Sequence, residues 1–217
     1  MTLKPPLKVD IISDVVCPWC WIGAAGLMKA ASEDDQPLNV TWRPYQLDPT
    51  TPREGKDRRA GMLARFGGDE AALRAASAHV EDAAQAVGLN PQFSTIAKTP
   101  NTLDAHRLIL WAKSAGVQEI VAEALFQAYF VHGEDLTKSE TLIAIARGCG
   151  MDGALVADLL ASDRDVETVQ AEINVAREMG VTGVPCFVFD GRLAVVGAQE
   201  PAKFKRVFAK AHETMLA

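Results

Sequence analysis

The sequence predicts an α/β fold in which a four-stranded sheet is assembled from the two ends of the chain, with a large all-helical insertion between its halves. Strand-type patterns are confined to residues before Pro44 and after Gly180, the stretch between keeps helical periodicity for more than a hundred residues, and each end combines its strands with a helix. The corresponding boundaries are 1–48 and 178–217 for the sheet domain and 49–177 for the inserted helical domain. At 217 residues and 48% hydrophobic content, the chain is long and apolar enough to bury a sizeable core.

Leu7, Val9 and Ile11 alternate with Lys8, Asp10 and Ile12 in a β-branched run that reads as the first strand. From Pro18 to about Ser32, the residues Ile22, Ala25, Met28 and Ala31 recur at helical spacing. Gly23 and Gly26 let this helix lie close to a neighbour, and Asp34, Asp35 and Pro37 end it. Leu38, Val40 and Trp42 then alternate with Asn39, Thr41 and Arg43 in a second strand that stops at Pro44. A strand–helix–strand unit of this kind is a right-handed crossover between parallel strands.

Pro49 to Arg59 reads as an exposed linker, and no strand is expected in the helical stretch that follows it. Gly61 to Gly68 lacks the Lys-Ser or Lys-Thr ending of a phosphate loop and reads as a bent helix end. Asn101 caps a helix with Asp104 three residues on and an apolar stripe of Ala105, Leu108, Ile109 and Ala112, running to Gly116. Val121, Ala124, Leu125, Ala128 and Tyr129 mark the next helix, ended by Gly133. Thr137 and Glu140 are placed to form a capping box ahead of Leu142, Ile145, Ala146 and a core Cys149. Leu155 to Leu160, and Val166, Val169, Ile173 and Ala176, supply two more amphipathic segments. Beyond Gly180 the pattern returns to strands: Gly183 to Phe189, a two-residue hairpin turn at Asp190-Gly191, and Leu193 to Val196. A last helix from Pro201 turns Phe204, Val207, Phe208 and Ala211 toward the core.

Cys17-Pro18-Trp19-Cys20 falls where the first strand gives way to the first helix. Positions i and i+3 share a helix face, so this spacing brings two sulfurs to bonding distance, and it also suits a metal. Proline is favoured at the first helical position, which makes Cys17 the cap, with its sulfur among unpaired backbone N–H groups that favour a thiolate. The remaining histidine and cysteine pattern bears on the metal alternative. His79, His106, His132 and His212 are scattered singly, and a zinc or interaction module would need two more ligands near the pair.

A net charge of −6 with interspersed signs argues against a nucleic-acid-binding surface. No apolar run reaches membrane-spanning length, and Met1 to Pro6 contains no apolar h-region, which points to the cytoplasm. Four cysteines, two of them isolated, are not a disulfide framework; in a reducing compartment a close pair reads as redox-active or metal-binding.

Five blocks are similar to the DsbA-like family of the thioredoxin fold, and more narrowly to its FrnE-type branch. They are Ser13-Asp14-Val15-Val16-Cys17-Pro18-Trp19-Cys20-Trp21-Ile22-Gly23, Trp42-Arg43-Pro44, Asn101-Thr102-Leu103-Asp104-Ala105-His106-Arg107-Leu108, Ala124-Leu125-Phe126-Gln127-Ala128-Tyr129-Phe130 and Gly180-Val181-Thr182-Gly183-Val184-Pro185. The resemblance implies a thioredoxin fold with a large all-helical insertion, in which Pro185 is cis and packs with Val184 against the redox turn. It implies a thiol–disulfide oxidoreductase or isomerase with Cys17 and Cys20 as catalytic residues, and with Pro18, Trp19, Val184 and Pro185 lining the turn and the substrate. Cys186 departs from the pattern, which has a bulky apolar residue there; it reads as a buried strand cysteine, the sharper reading being a third thiol beside the redox pair.

In the exchange reading Cys17 attacks a substrate disulfide and Cys20 resolves the mixed disulfide. Pro18-Trp19 places no cation between the sulfurs, so the couple is expected to be more reducing than that of strongly oxidising DsbA relatives. The second reading is a glutathione-dependent isomerase or kappa-class-like glutathione transferase, whose members carry Ser at the first cysteine position and lack the second thiol; the presence of both Cys17 and Cys20 counts against it. Asn101 and His106 are candidates to line a cleft between insert and sheet, beside plainer roles as a cap and a structural histidine. Trp19 and Trp21 flank the thiols either as a peptide-docking surface or as packing. The expected partners are thiol- or disulfide-containing proteins or small molecules. No cofactor is expected beyond glutathione as redox partner or co-substrate.

Overall fold

The computed structural model describes residues 4–215. The strand β1 (Leu7–Ser13), the helix α1 (Pro18–Glu33) and the strand β2 (Leu38–Pro44) form the expected crossover unit, with β1 and β2 parallel from Leu7↔Leu38 to Ser13↔Pro44. From the other end of the chain, β5 (Cys186–Phe189) lies antiparallel on β1, and β6 (Leu193–Val196) lies antiparallel on β5. The sheet order is therefore β2-β1-β5-β6, with β1 central, so both ends of the chain are needed to complete it.

One face of the sheet is covered by α1 and by α9 (Pro201–Met215), whose Phe204 and Phe208 rings meet Phe187 and Phe189 edge-on at 5.0 and 6.1 Å. The absence of a side chain at Gly26 is required there, since a Cβ would lie 2.9 Å from the carbonyl oxygen of Gln199. The opposite face carries a smaller cluster of Ile12, Tyr45 and Cys186 with Ala176 of α8 (Val166–Glu178).

The other helices are α2 (Arg58–Arg65), α3 (Glu70–Ala86), α4 (Leu103–Ser114), α5 (Gln118–Phe130), α6 (Ser139–Gly148) and α7 (Gly153–Leu160). Four of them continue the core. Trp21 of α1 stacks on Phe126 and Phe130 of α5 at 6.4 and 5.7 Å, and its indole N–H donates to Glu123. Gln118 ties α5 to β2 by accepting the Trp42 N–H and donating to the Trp42 carbonyl. Buried Arg107 donates to the carbonyls of Leu159, Ser162 and Arg164 and to Asp104, which pins the α7–α8 connection to α4. The hairpin α2–α3 behaves differently: no residue of α2 is buried, and Ala84 alone is buried in α3. It stands off the core and leaves a space beneath it.

Several local expectations change. The 49–177 stretch does contain strands, since β3 (Lys56–Asp57) pairs antiparallel with β4 (Lys98–Thr99); a ribbon of two polar residues a side has no apolar alternation to read. The Pro49–Arg59 segment is mostly exposed but tied down, because Thr51 is buried and its carbonyl accepts from Asn101 Nδ2 at 2.7 Å. The Thr137–Glu140 capping box does not form. Asp135, two residues earlier, accepts both the N–H and the hydroxyl of Thr137, and Lys138 becomes the N-cap of α6 without a side-chain bond. Cys149 is the C-cap of α6 and half-buried, at the margin of the core. In the last hairpin Asp190 and Gly191 both have positive φ, and strand pairing resumes at Phe189↔Leu193, so Arg192 is an extra residue in the turn. No helix among the described residues is long and apolar enough to cross a membrane.

Candidate active site

The Cys17–Cys20 turn is built by the end of β1. After Ser13 the backbone folds so that the Cys17 N–H donates to the Asp14 carbonyl at 3.0 Å, and Cys17 then serves as the extended N-cap of α1 with Pro18 at the first helical position. Proline costs nothing there because its missing N–H would be unpaired in any case. One turn on, the Cys20 N–H donates to the Cys17 carbonyl at 3.0 Å. Both cysteines are free thiols, 4% and 0% exposed. The Cys17 thiol also donates to the Val184 carbonyl at 3.6 Å, across 167 residues of sequence. The Val184–Pro185 peptide bond is cis, as the resemblance implies. Pro185 abuts α1 at Gly23, where a Cβ would come within 3.1 Å of its ring.

The two thiols differ in surroundings. Burial pushes the Cys20 thiol well above the usual cysteine range, and the adjoining Cys17 adds to this, while hydrogen bonds from the Asp14 main chain and the Ser13 hydroxyl pull the other way. Burial likewise raises Cys149 and Cys186. Beside the pair, Asp14 is 1% exposed; its Oδ2 accepts the Leu47 N–H at 2.8 Å, but its Oδ1 has no hydrogen-bond partner. The nearest opposite group is buried His106, whose Nε2 is 3.5 Å from Oδ1 and 2.9 Å from the Tyr45 carbonyl. A ring nitrogen that close to a carbonyl is the protonated one, so Nε2–H donates to Tyr45 and Asp14 Oδ1 stays unpaired. A buried carboxylate oxygen without a donor is rare enough to require an explanation.

In front of Cys17 lies a cavity of about 470 Å³, bounded by the Cys17–Cys20 turn, Val184, the Leu47–Thr51 loop and the undersides of α2 and α3. Tyr129 lines it too, with its phenol pushed up to about 12 by burial and donating to the Lys98 carbonyl. Asp48 is held well below the usual carboxylate range by Lys56 and by Thr50. Trp19 forms part of the wall, its ring 5.5 Å from that of His79 on α3.

Of the residues singled out from sequence, Cys17, Pro18, Trp19 and Val184 line the cavity, with Cys20 one turn behind and Pro185 against α1. Asn101 lies outside it: its Oδ1 accepts the Leu103 N–H at 3.0 Å as a cap and a donation from Gln46. His106 is behind Asp14, and Cys186 belongs to the cluster under α8. Trp21 is core. Sequence reasoning did not single out Asp14, Arg58 or Arg65, all of which line the cavity. The signal for Asp14 was a carboxylate three residues before Cys17, between the apolar pairs Ile11-Ile12 and Val15-Val16. For the arginines it was their seven-residue spacing with Gly61 and Met62 between, which puts all four on one helix face.

A model of the DSBA-like thioredoxin domain matches residues 8–209. The protein YwbO of Bacillus subtilis strain 168 is 26% identical over 207 residues, covering 94% of this chain and 95% of its own length. Among solved structures, the probable DsbA oxidoreductase SCO1869 from Streptomyces coelicolor superposes with a TM-score of 0.87 at 29% identity, over 95% of this chain and 90% of that one. The cytosolic disulfide reductase DsbM from Pseudomonas aeruginosa, solved with GSH, shares the fold with a TM-score of 0.66 at 18% identity, over 97% of this chain and 99% of that one.

Proposed function

The chain belongs to the DSBA-like thioredoxin domain family and is a disulfide oxidoreductase; from that premise we propose that it works through the Cys17–Cys20 dithiol, with Cys17 as the attacking sulfur. One observation carries the assignment of roles: of the four cysteines, Cys17 alone lines the cavity, and Cys20 is fully buried one helical turn behind it. Cys17 as thiolate attacks a substrate disulfide and releases the first thiol. Cys20 then attacks the Cys17 sulfur, the second thiol leaves, and the intramolecular disulfide forms. The Val184 carbonyl accepts from the Cys17 thiol in the dithiol state and loses that bond when the sulfur becomes a thiolate or part of a disulfide.

The second step needs a base, because burial holds Cys20 as the neutral thiol. We assign that role to Asp14, whose main chain contacts the Cys20 sulfur and whose buried Oδ1 has no hydrogen-bond partner. Asp14→Asn is expected to leave formation of the mixed disulfide largely intact and to slow its resolution on the order of a hundredfold at neutral pH. In the variant, resolution should also become proportional to hydroxide concentration. Rapid quench with acid and mass analysis separates the two steps, and equal resolution rates in variant and parent would remove Asp14 from the mechanism.

The absence of a cation between the sulfurs supports the reducing direction and a cytoplasmic setting, as does the likeness in fold to a cytosolic disulfide reductase. That neighbour's structure with GSH supports glutathione as a redox partner. A glutathione-dependent isomerase is disfavoured by the second thiol, and turnover of a hydroxychromene carboxylate would restore it. Within the family, the blocks around Cys17 and Pro185 support the FrnE-type branch.

Alkylation tests the assignment of the nucleophile. With less than one equivalent of iodoacetamide, the reduced native protein is expected to carry its label on Cys17. Exposure alone predicts the opposite, since Cys149 is half-buried and Cys17 is 4% exposed; a label found mainly on Cys149 would show that Cys17 is not activated.

A further inference from the structure

The α2–α3 hairpin meets the cavity with an unusual face. Arg58, Gly61, Met62 and Arg65 all line the cavity and fall on one stripe of α2, yet no residue of that helix is buried in the core. The helix's charges are partitioned. On another face, Arg59 pairs with Glu70 at 2.7 Å. Arg58 and Arg65 have no carboxylate partner among the described residues: Arg58 rests its guanidinium 5.2 Å over the Phe93 ring and donates to the Phe93 carbonyl, and Arg65 is exposed at the end of α2. The third cation at the cavity, Lys56, is already paired with Asp48. Asp14, the other carboxylate, is at the sulfur end. The cavity is therefore positive on its α2 side, away from Cys17.

Its size matters as much as its sign. Cys17 is 4% exposed at the base of a space of about 470 Å³, within the range of small-molecule sites.

We propose that the cavity selects a low-molecular-weight disulfide bearing a carboxylate, its reactive sulfur at Cys17 and its carboxylate held by Arg58 and Arg65 of α2. This rests on the exchange reading and names the substrate class for it. A guanidinium binds a carboxylate by two parallel N–H···O bonds, so an Arg that lacks a carboxylate partner suits this task better than a Lys. The balance is that of the dithiol reaction. Cys17 thiolate breaks the substrate S–S bond and one half leaves as thiolate. Cys20 loses its proton and attacks Cys17 Sγ, the second half leaves, and two electrons pass from the dithiol to the substrate, giving two thiols and the 17–20 disulfide.

Three disulfides with two-carbon arms separate charge from length: 3,3′-dithiodipropionate (anionic), bis(2-hydroxyethyl) disulfide (neutral) and cystamine (cationic). The pre-reduced protein is mixed with each, and its oxidation is followed in a single turnover, with each rate constant divided by that for dithiothreitol to remove intrinsic reactivity. The anionic disulfide is expected to react at least about tenfold faster than the neutral one, a margin of ~1.4 kcal/mol, and the cationic one slowest. The anionic preference should shrink with added salt and should collapse toward unity in Arg58→Gln, Arg65→Gln. Three similar normalised rates, or a preference for cystamine, overturn the proposal while leaving disulfide exchange in place. Failure of all three disulfides to oxidise the protein overturns the exchange reading itself, and the proposal with it.

Discussion

Cys17→Ser is expected to abolish disulfide reduction, lowering the rate by at least on the order of a thousandfold. A serine hydroxyl is almost wholly protonated near neutrality and is a poor nucleophile toward sulfur, and nothing else at the cavity replaces the lost thiol: Cys20 is fully buried and held protonated, and Cys149 and Cys186 lie elsewhere. The substitution is nearly isosteric. Serine at the N-cap also accepts backbone N–H groups readily, so thermal stability should stay at or above that of the reduced parent. Activity lost with the fold intact isolates the chemistry; full activity in this variant would sink the assignment of Cys17.

Cys20→Ser should have a different outcome, the accumulation of a covalent mixed disulfide between Cys17 and the substrate. The first step needs only the sulfur at the cavity, so it proceeds. The second step loses its nucleophile, and the adduct persists until an external thiol releases it. Incubation with an excess of small disulfide followed by intact mass analysis should show one adduct per chain at Cys17, absent from the parent because Cys20 clears it. A Cys20→Ser protein that turns over like the parent, without an adduct, would mean that external thiol alone resolves the intermediate.

Where the chain's own periodicity carried information, the fold was legible. The alternation Leu7-Val9-Ile11 and the turn pair Asp190-Gly191 place a sheet strand and a hairpin, and Cys-Pro-Trp-Cys at a strand end places the strand-to-helix turn. Gly23 and Gly26 signalled a close approach, and the structure shows Phe187, Pro185 and the Gln199 carbonyl filling the room they leave. Features set by long-range contacts were not legible. Lys56–Asp57 and Lys98–Thr99 pair across some forty residues with no pattern of their own. Thr137 has two competing partners within three residues, and composition does not say that Asp135 wins. The exposed charges of α2 look like any solvated face until the fold sets that face over Cys17, and Asp14 looks like a strand-end carboxylate until His106 and Tyr45 close over it.

The central claim is that Cys17 and Cys20 form one reversible two-electron couple. The most direct test equilibrates the protein with glutathione buffers of graded poise, quenches in acid, and counts alkylatable thiols after denaturation. The expected result is a single transition from four thiols to two, with the loss mapped to a Cys17–Cys20 linked peptide and a midpoint well below the roughly −120 mV of a strongly oxidising DsbA. Four thiols at every poise, or a loss that maps to Cys149 or Cys186, would contradict it.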